Sequence, residues 1–473
     1  MNSAFVVFLS VVSVLPLAGC AVQHYQAAPL VAAETASRFE SRSLGDSGLQ
    51  AFVEKSLGQP MAAWPPKAWD LPTLSLAALY FNADMQAARA RLEEAAATMV
   101  TAGARPNPTF DLSPGVPSPY LLTLDFAVPL ETKGKRGDRI RSARELDQAA
   151  RFDLADTAWR VHSGVRKALL DYLVASRSLE LTHTEEQVRT EQVKLLQERF
   201  IVGDIPRPEL DLARIELSKI HLAINTTEGQ VAETKAALAE AMGITGERLD
   251  GTEFAWSDLD SPPEAQSFSL QDIRRDVVLD RLDIRRALAQ YAAAESDLQL
   301  EIAKQYPDVQ IAPGYTFEER DNFFTLGLSI TLPIFNRNRG PIAEAEAKRK
   351  EAAAAFLQKQ AQVIGDGERA FAIYSAALKE LAEADQSLRQ LQDTQLRMTQ
   401  LAVSVGEEDR LTLNGVQLEN AAVARARLDA LVRAQTALGD LEDAVQRPLS
   451  TNDTFPINPE SPALSEAATE GRR

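Results

Sequence analysis

The sequence predicts a mainly α-helical protein with a small β part, made of two copies of a helix–β-hairpin–helix unit. Three observations predict it. Pro108-Thr-Phe-Asp-Leu-Ser-Pro-Gly115 returns as Pro307-Asp-Val-Gln-Ile-Ala-Pro-Gly314, at an offset of 199 residues that also carries Asp84 to Asp283 and Ala88 to Ala287. Both copies then show strict alternation of apolar and polar residues. Each alternating stretch leads into a helical pattern more than sixty residues long, from about Asp138 to Phe200 without internal proline and from Pro341 to about Ser404. A fixed period constrains architecture more than any single residue does. The length of 473 residues alone would give about three domains, but the repeat argues for two intertwined halves.

Composition narrows the function. Sixty-seven carboxylates against 50 Lys and Arg leave a net charge of −17. That argues against a nucleic-acid binder, which needs a basic face to neutralise phosphates. The single cysteine, Cys20, permits neither a disulfide framework nor a thiolate metal site within one chain. His24, His162, His183 and His221 are scattered, with no pair at metal-ligand spacing. Nothing reads as an enzyme, and no cofactor is expected.

The first 19 residues carry an apolar run, Ala4-Phe-Val-Val-Phe-Leu-Ser-Val-Val-Ser-Val-Leu, and end in Leu17-Ala-Gly19, directly before Cys20. The run is too short for a membrane span and reads as an export signal. Leu-Ala-Gly-Cys resembles the bacterial lipobox, which makes Cys20 a lipidated first residue. Ala21 lacks the Asp that retains such lipoproteins at the inner membrane, so the address is the outer membrane. The n-region departs from the usual pattern in having no Lys or Arg. Residues 20–71, with Trp64-Pro-Pro66, read as an extended leader.

A first repeat is expected over 72–245. A helix runs from Thr73 to Gly103, with Leu74, Ala77, Ala78 and Phe81 on one face, until Pro106 and Pro108 end it. In the hairpin, about 107–129, Leu122, Leu124, Phe126 and Val128 alternate with Thr123, Asp125 and Ala127. In its second copy, about 307–333, Phe324, Leu326, Leu328, Ile330 and Leu332 alternate with Thr325, Gly327, Ser329 and Thr331. This pattern fits a transmembrane β-strand and equally a half-buried hairpin in water.

The long helices that follow span on the order of 95 Å at 1.5 Å per residue and must pack as coiled coils. They stop at Val202-Gly203 and Val405-Gly406, glycine at a helix end being a common stop signal. Return helices occupy 209–242 and 409–445. An equatorial linker fills 246–269, a second repeat covers 270–448, and a helix from Leu270 to Gln305 opens it. By length, the return helix 209–242 stacks end to end with 270–305, and 409–445 with 73–103. A disordered tail is expected over 449–473. Four strands cannot close a membrane barrel, and open edges are not tolerated in hydrocarbon. Several copies must therefore pool strands if the hairpins span a membrane.

The ordered set of duplicated unit, Pro-opened hairpins, Pro129-Leu and Pro333-Ile exits and Val-Gly turns resembles the TolC-like outer membrane factors over about 71–448. Pro-Leu-Glu before Gly-Lys-Arg, and Gly-Asp-Ile-Pro-Arg-Pro-Glu-Leu, look most like the branch serving heavy-metal pumps of the resistance-nodulation-division type. The resemblance implies a homotrimer with a twelve-stranded outer-membrane β-barrel continued by a periplasmic α-helical coiled-coil barrel. It further implies a passive channel that works with a periplasmic membrane-fusion adaptor and an inner-membrane pump, proton-driven in that branch. Val202, Gly203, Val405 and Gly406 match the tips where adaptor hairpins dock. Glu407, Glu408 and Asp409 lie near the family's acidic gate, although Leu413 and Asn414 stand about where its spaced Asp pair belongs.

Lys133, Lys135, Arg136 and Arg139 after the first hairpin, with Arg337 and Arg339 after the second, suit a headgroup interface with outer-membrane lipid or plain solvated charge. Cargo could be drugs or metal ions. A polypeptide-secreting duct of type I systems, and a periplasmic coiled-coil scaffold lipoprotein without a channel, are the alternative readings.

Overall fold

The computed structural model describes residues 24–116, 121–265, 268–450 and 455. The chain up to Ser41 forms one compact unit and the chain from Arg42 another. The first holds helix α1, Ala32–Glu40, which buries none of its residues. In the second, α2 (Ser47–Leu57) starts on Asp46, whose side chain accepts from the Leu49 amide, and stops at Gly58 in the left-handed region. The leader is therefore not extended. Leu49, Phe52, Val53 and Leu57 recur at helical spacing and pack into the core. Trp69 then pairs in a two-residue parallel ladder between β1 (Ala68–Trp69) and β4 (Glu253–Phe254).

Helix α3 (Leu71–Phe81) opens with a capping box in which Asp70 and Thr73 satisfy each other's backbone amides. The expected single helix to Gly103 is broken at Asn82, whose extended backbone (φ −66°, ψ 133°) turns the chain before α4 (Ala83–Gly103). The second copy breaks likewise at Arg281 (φ −61°, ψ 133°), between α7 (Leu270–Leu279) and α8 (Leu282–Ala303). The two break points are 199 residues apart, the repeat's own offset. Each is a socket for an arriving helix. Asn82 Nδ2 donates to the Ala241 carbonyl at 3.2 Å, near the end of α6 (Arg207–Met242). Arg281 donates to the Ala444 carbonyl at 2.6 Å, near the end of α11 (Arg410–Val445). The end-to-end stacking is thus within each repeat, α6 on α4 and α11 on α8, and not between repeats as length alone implied. Side chains that cap exposed helix-end carbonyls decide the pairing.

The long helix α5 (Lys135–Ile201) runs unbroken for 67 residues. Its counterpart is α9 (Arg339–Glu383), a π-helical turn at Ala384–Leu388, and α10 (Arg389–Ser404). The strands β2 (Thr109–Gly115), β3 (Leu121–Leu130), β5 (Val309–Glu318) and β6 (Asp321–Ile330) form one antiparallel sheet in the order β2-β3-β5-β6. Helix packing repeats that order. Four columns result: β2 with α4 and α6, β3 with α5, β5 with α8 and α11, and β6 with α9 and α10. The first and last lie at the two edges.

Two apolar clusters hold the columns at mid-height. One gathers Leu74, Leu79, Met85, Leu154, Leu169, Leu238 and Met242; the other gathers Ile273, Val277, Tyr374, Leu431, Leu438 and Leu441. A small third cluster, Leu196, Leu210 and Ala213, lies near the helical tips. Phe455 is buried and stacks on His162 with ring centres 4.3 Å apart. The rest of the expected tail beyond Ser450 lies outside the described residues, as does the whole signal. No helix among the described residues is long and apolar enough to cross a membrane.

Candidate functional site

Register assigns every strand residue to one of two faces. Directly opposed residues share a face, so Phe110, Leu112 and Pro114 align with Phe126, Leu124 and Leu122. Leu122 and Leu124 oppose Phe317 and Tyr315, and Tyr315 and Ile311 oppose Phe324 and Leu328. One side of the sheet is therefore a continuous apolar surface. It is exposed in the single chain, Phe324 to 74% and Leu326 to 76%. The other face carries Thr109, Asp111, Ser113, Thr123, Asp125, Gln310, Thr316, Glu318, Asp321, Thr325 and Ser329, with Ala127, Ala312 and, near the strand ends, Leu121 and Phe323 among them. It has four carboxylates and no Lys or Arg.

Asp111, Asp125, Gly314 and Thr325 form one row across all four strands. Gly314 is needed for space: a Cβ there would collide with the Asp125 carboxylate and with Thr325 Oγ1. An apolar face backed by a polar one, with β2 and β6 leaving unpaired edges, is what a lipid–lumen wall requires.

Below the sheet, the basic residues serve the chain itself. Lys135 is buried, and its Nζ donates to Asp308 and to the Tyr306 carbonyl, both at 2.7 Å. Arg136 donates to the Gly103 carbonyl at 2.6 Å and Arg139 to those of Ala102 and Ala104, capping the end of α4. Arg139 also grips Glu131, and Lys133 lies over the Tyr306 ring. These four are not free charges for a headgroup layer. Orphan carbonyls at a helix end and a strand-entry carboxylate attract them first. Arg337 and Arg339 lie at the corresponding junction of the second repeat, Arg339 as the first residue of α9.

At the far end, the two turns are built alike. Gly203 and Gly406 both have φ +79°, with open space where a Cβ would stand. Asp204 N donates to Arg199 O and Glu407 N to Ala402 O, both at 2.9 Å, closing the same helix-end motif. Ile201, Val202 and Val405 are exposed to 72%, 79% and 62%. Asp409 caps α11 through the Thr412 amide at 2.7 Å and pairs with Arg199 Nη2 at 2.7 Å, tying the second turn to the first. The Thr412 amide, then Arg199, hold its carboxyl below the usual range. Glu407 and Glu408 are exposed beside it. Asn414, near the place of the family's absent Asp pair, is buried and donates to the Val188 carbonyl at 2.8 Å.

Sequence reasoning missed the Arg199–Asp409 tie. It also missed the buried Arg166–Glu442 pair, since no spacing announces a partner 210 or 276 residues away. Cys20 lies outside the described residues. No group of three or more His, Cys, Asp or Glu among those described could hold a metal ion.

A duplicated helical unit with a two-faced sheet at one end defines the class, and comparison with known proteins agrees. The model of the outer membrane efflux protein family matches residues 74–244 and 274–445. The chain belongs to that family. It is 24% identical over 291 residues to the cobalt-zinc-cadmium resistance protein CzcC of Cupriavidus metallidurans, covering 60% of this chain and 67% of that protein. It is also 24% identical over 410 residues to the pyoverdine export outer membrane protein OpmQ of Pseudomonas aeruginosa, covering 78% and 85%. The fold is shared with the Campylobacter jejuni CmeC outer membrane channel at a TM-score of 0.66 and 16% identity, over 91% of this chain and all of that one. An outer membrane efflux protein is not an enzyme.

Proposed function

We propose that the chain is the outer-membrane exit duct of a tripartite efflux system, passing small toxic solutes from the periplasm or an inner-membrane pump to the exterior. The observation that carries this reading is the four-stranded sheet with one apolar face, one polar face and two unpaired edges. Edge β6 of one copy joins edge β2 of the next, and three copies close twelve strands into a barrel continued by the helical columns. The channel is passive; the energy comes from a proton-driven pump of the resistance-nodulation-division type. Similarity to a cobalt-zinc-cadmium resistance protein favours metal ions as cargo, and similarity to a pyoverdine exporter favours small organic molecules. Acyl chains on Cys20 anchor the start of the mature chain in the outer membrane.

A Cys20→Ala chain given a cleavable signal should remain an integral, detergent-requiring trimer that conducts ions in planar bilayers. A soluble, non-conducting monomer would overturn the duct. In this reading Val202, Gly203, Val405 and Gly406 receive the hairpin tips of a periplasmic adaptor, and Glu407, Glu408 and Asp409 narrow the channel beside Arg199. Gly203→Pro or Gly406→Pro should abolish resistance in cells while the trimer still assembles. Full resistance in both variants would remove the turns from the docking site.

A further inference from the structure

The chain already contains one seam between repeats, where β3 and the start of α5 lie against β5 and the end of α8. The cations there are engaged. Lys135 is held by Asp308, Lys133 lies over the Tyr306 ring, Arg139 grips Glu131, and Lys304 donates to Glu301 at 2.6 Å.

In a ring of copies the same seam recurs between chains, with β6 and the start of α9 of one copy against β2 and the end of α4 of the next. The two junctions are built alike. Lys133 and Gly134 have φ 55° and 73° before α5, and Arg337 and Asn338 have φ 48° and 54° before α9. The offset of 204 residues between Pro129 and Pro333 also carries Glu131 to Phe335, Lys133 to Arg337 and Lys135 to Arg339. On the opposite side of the seam, the offset of 199 carries Asp308 to Thr109, Tyr306 to Asn107, Lys304 to Arg105 and Glu301 to Ala102.

The seam between copies therefore keeps the cations and loses their partners. Arg105, Arg337 and Arg339 are exposed in the single chain. Among the described residues, no hydrogen bond, ion pair or ring contact engages their side chains. Glu301, beside the start of α9, is already held by Lys304 and by Asn338 Nδ2 at 2.9 Å. Ile334 and Phe335, 63% and 98% exposed, continue the apolar run past the end of β6.

We propose that each seam between copies binds one anionic phospholipid of the periplasmic leaflet, its phosphate held by Arg337 and Arg339 of one copy and Arg105 of the next. The inference rests on the duct reading, which supplies the neighbouring copy. Guanidinium groups take a phosphate through paired N–H donors, and three of them without a carboxylate repel one another until an anion arrives. The level is that of the headgroups, because the apolar face of the sheet ends there. Ile334 and Phe335 lie where acyl chains begin. Between chains, the phosphate thus takes the place that the Asp308 carboxylate holds within the chain.

The test is native mass spectrometry of the full chain, purified in detergent and supplied with phosphatidylglycerol or phosphatidylcholine. Wild-type trimers should retain about three phosphatidylglycerol molecules, one for each seam, and discriminate against phosphatidylcholine. Arg337→Gln and Arg105→Gln, on opposite sides of the seam, should each weaken phosphatidylglycerol binding roughly fivefold. Lys133→Gln, at the internal seam, should leave it unchanged. Equal retention of the two lipids, or arginine variants that bind like the wild type, overturns the lipid site. So does displacement of the lipid by inorganic phosphate, which would mark an anion site open to the lumen. Should a variant not assemble, the contrast between lipids in the wild type decides. A chain that stays monomeric overturns the duct reading and the seam with it, whereas a trimer indifferent to lipid charge overturns the lipid site alone.

Discussion

Glu442→Ala should destabilise the folded chain by about 3–5 kcal/mol, because it leaves the Arg166 guanidinium buried without its counter-charge. The two side chains are 3% and 7% exposed and meet at 2.9 Å between Glu442 Oε2 and Arg166 Nε. Arg166 belongs to α5 of the first repeat and Glu442 to α11 of the second. Arg166 also donates to the backbone and side-chain oxygens of Gln435, at 3.1 and 3.2 Å, and lies over the Trp256 ring. Gln435 in turn donates to the Asp258 and Leu259 carbonyls of the linker. One buried network therefore joins both repeats and the segment between them. The double variant Arg166→Met with Glu442→Leu should lose much less, since replacing a buried pair by packed apolar groups is often close to neutral. Denaturant unfolding in detergent would decide; equal losses for the single and double variants would show that desolvated charge is not the cause.

Gly243→Val should cost about 3 kcal/mol, combining the penalty of a left-handed backbone with that of overpacking. Gly243 has φ +74°, and a Cβ there would stand 3.0 Å from the Phe81 carbonyl oxygen and 3.1 Å from Asn82 Cα. Those are backbone atoms and cannot swing aside. The glycine ends α6 where that helix meets the break before α4, and Arg42 bridges the Phe81 and Gly243 carbonyls at 2.9 and 2.6 Å. Gly203→Val offers the control. It carries the same backbone strain in open space and should cost only about 1–2 kcal/mol. Thermal unfolding of the two variants should separate them, and equal shifts would mean that the contact with Phe81 and Asn82 contributes nothing.

What the sequence made legible was local. The repeat, the alternation of β3 and β6 and the glycine stops at Gly203 and Gly406 are signals that neighbouring residues carry, and the structure has them where the pattern put them. The breaks at Asn82 and Arg281 were hidden because Leu74 to Leu92 keeps helical apolar spacing across the interruption. Only the arrival of α6 and α11 explains the breaks. The leader's second helix was overlooked although Asp46 and the Leu49–Val53–Leu57 spacing announce it. Lys135, Arg136 and Arg139 looked like surface charge because their partners, Asp308 and the end of α4, are contributed by distant chain. The site was legible as two turns and two hairpins, and illegible as the ties between them.

The two unpaired edges of the sheet bear on how such a wall could enter a membrane at all. A lone copy would bring rows of unsatisfied amides and carbonyls into hydrocarbon, each costing several kcal/mol. Its outward apolar face, in turn, is unfavourable in water. Neither solvent suits the solitary chain, so in the duct proposed above insertion and ring closure become one event. One consequence is genetic: a copy whose β6 edge cannot pair spoils every ring that admits it. Expressed at parity with the normal chain, such a copy leaves roughly one ring in eight intact in a three-copy assembly.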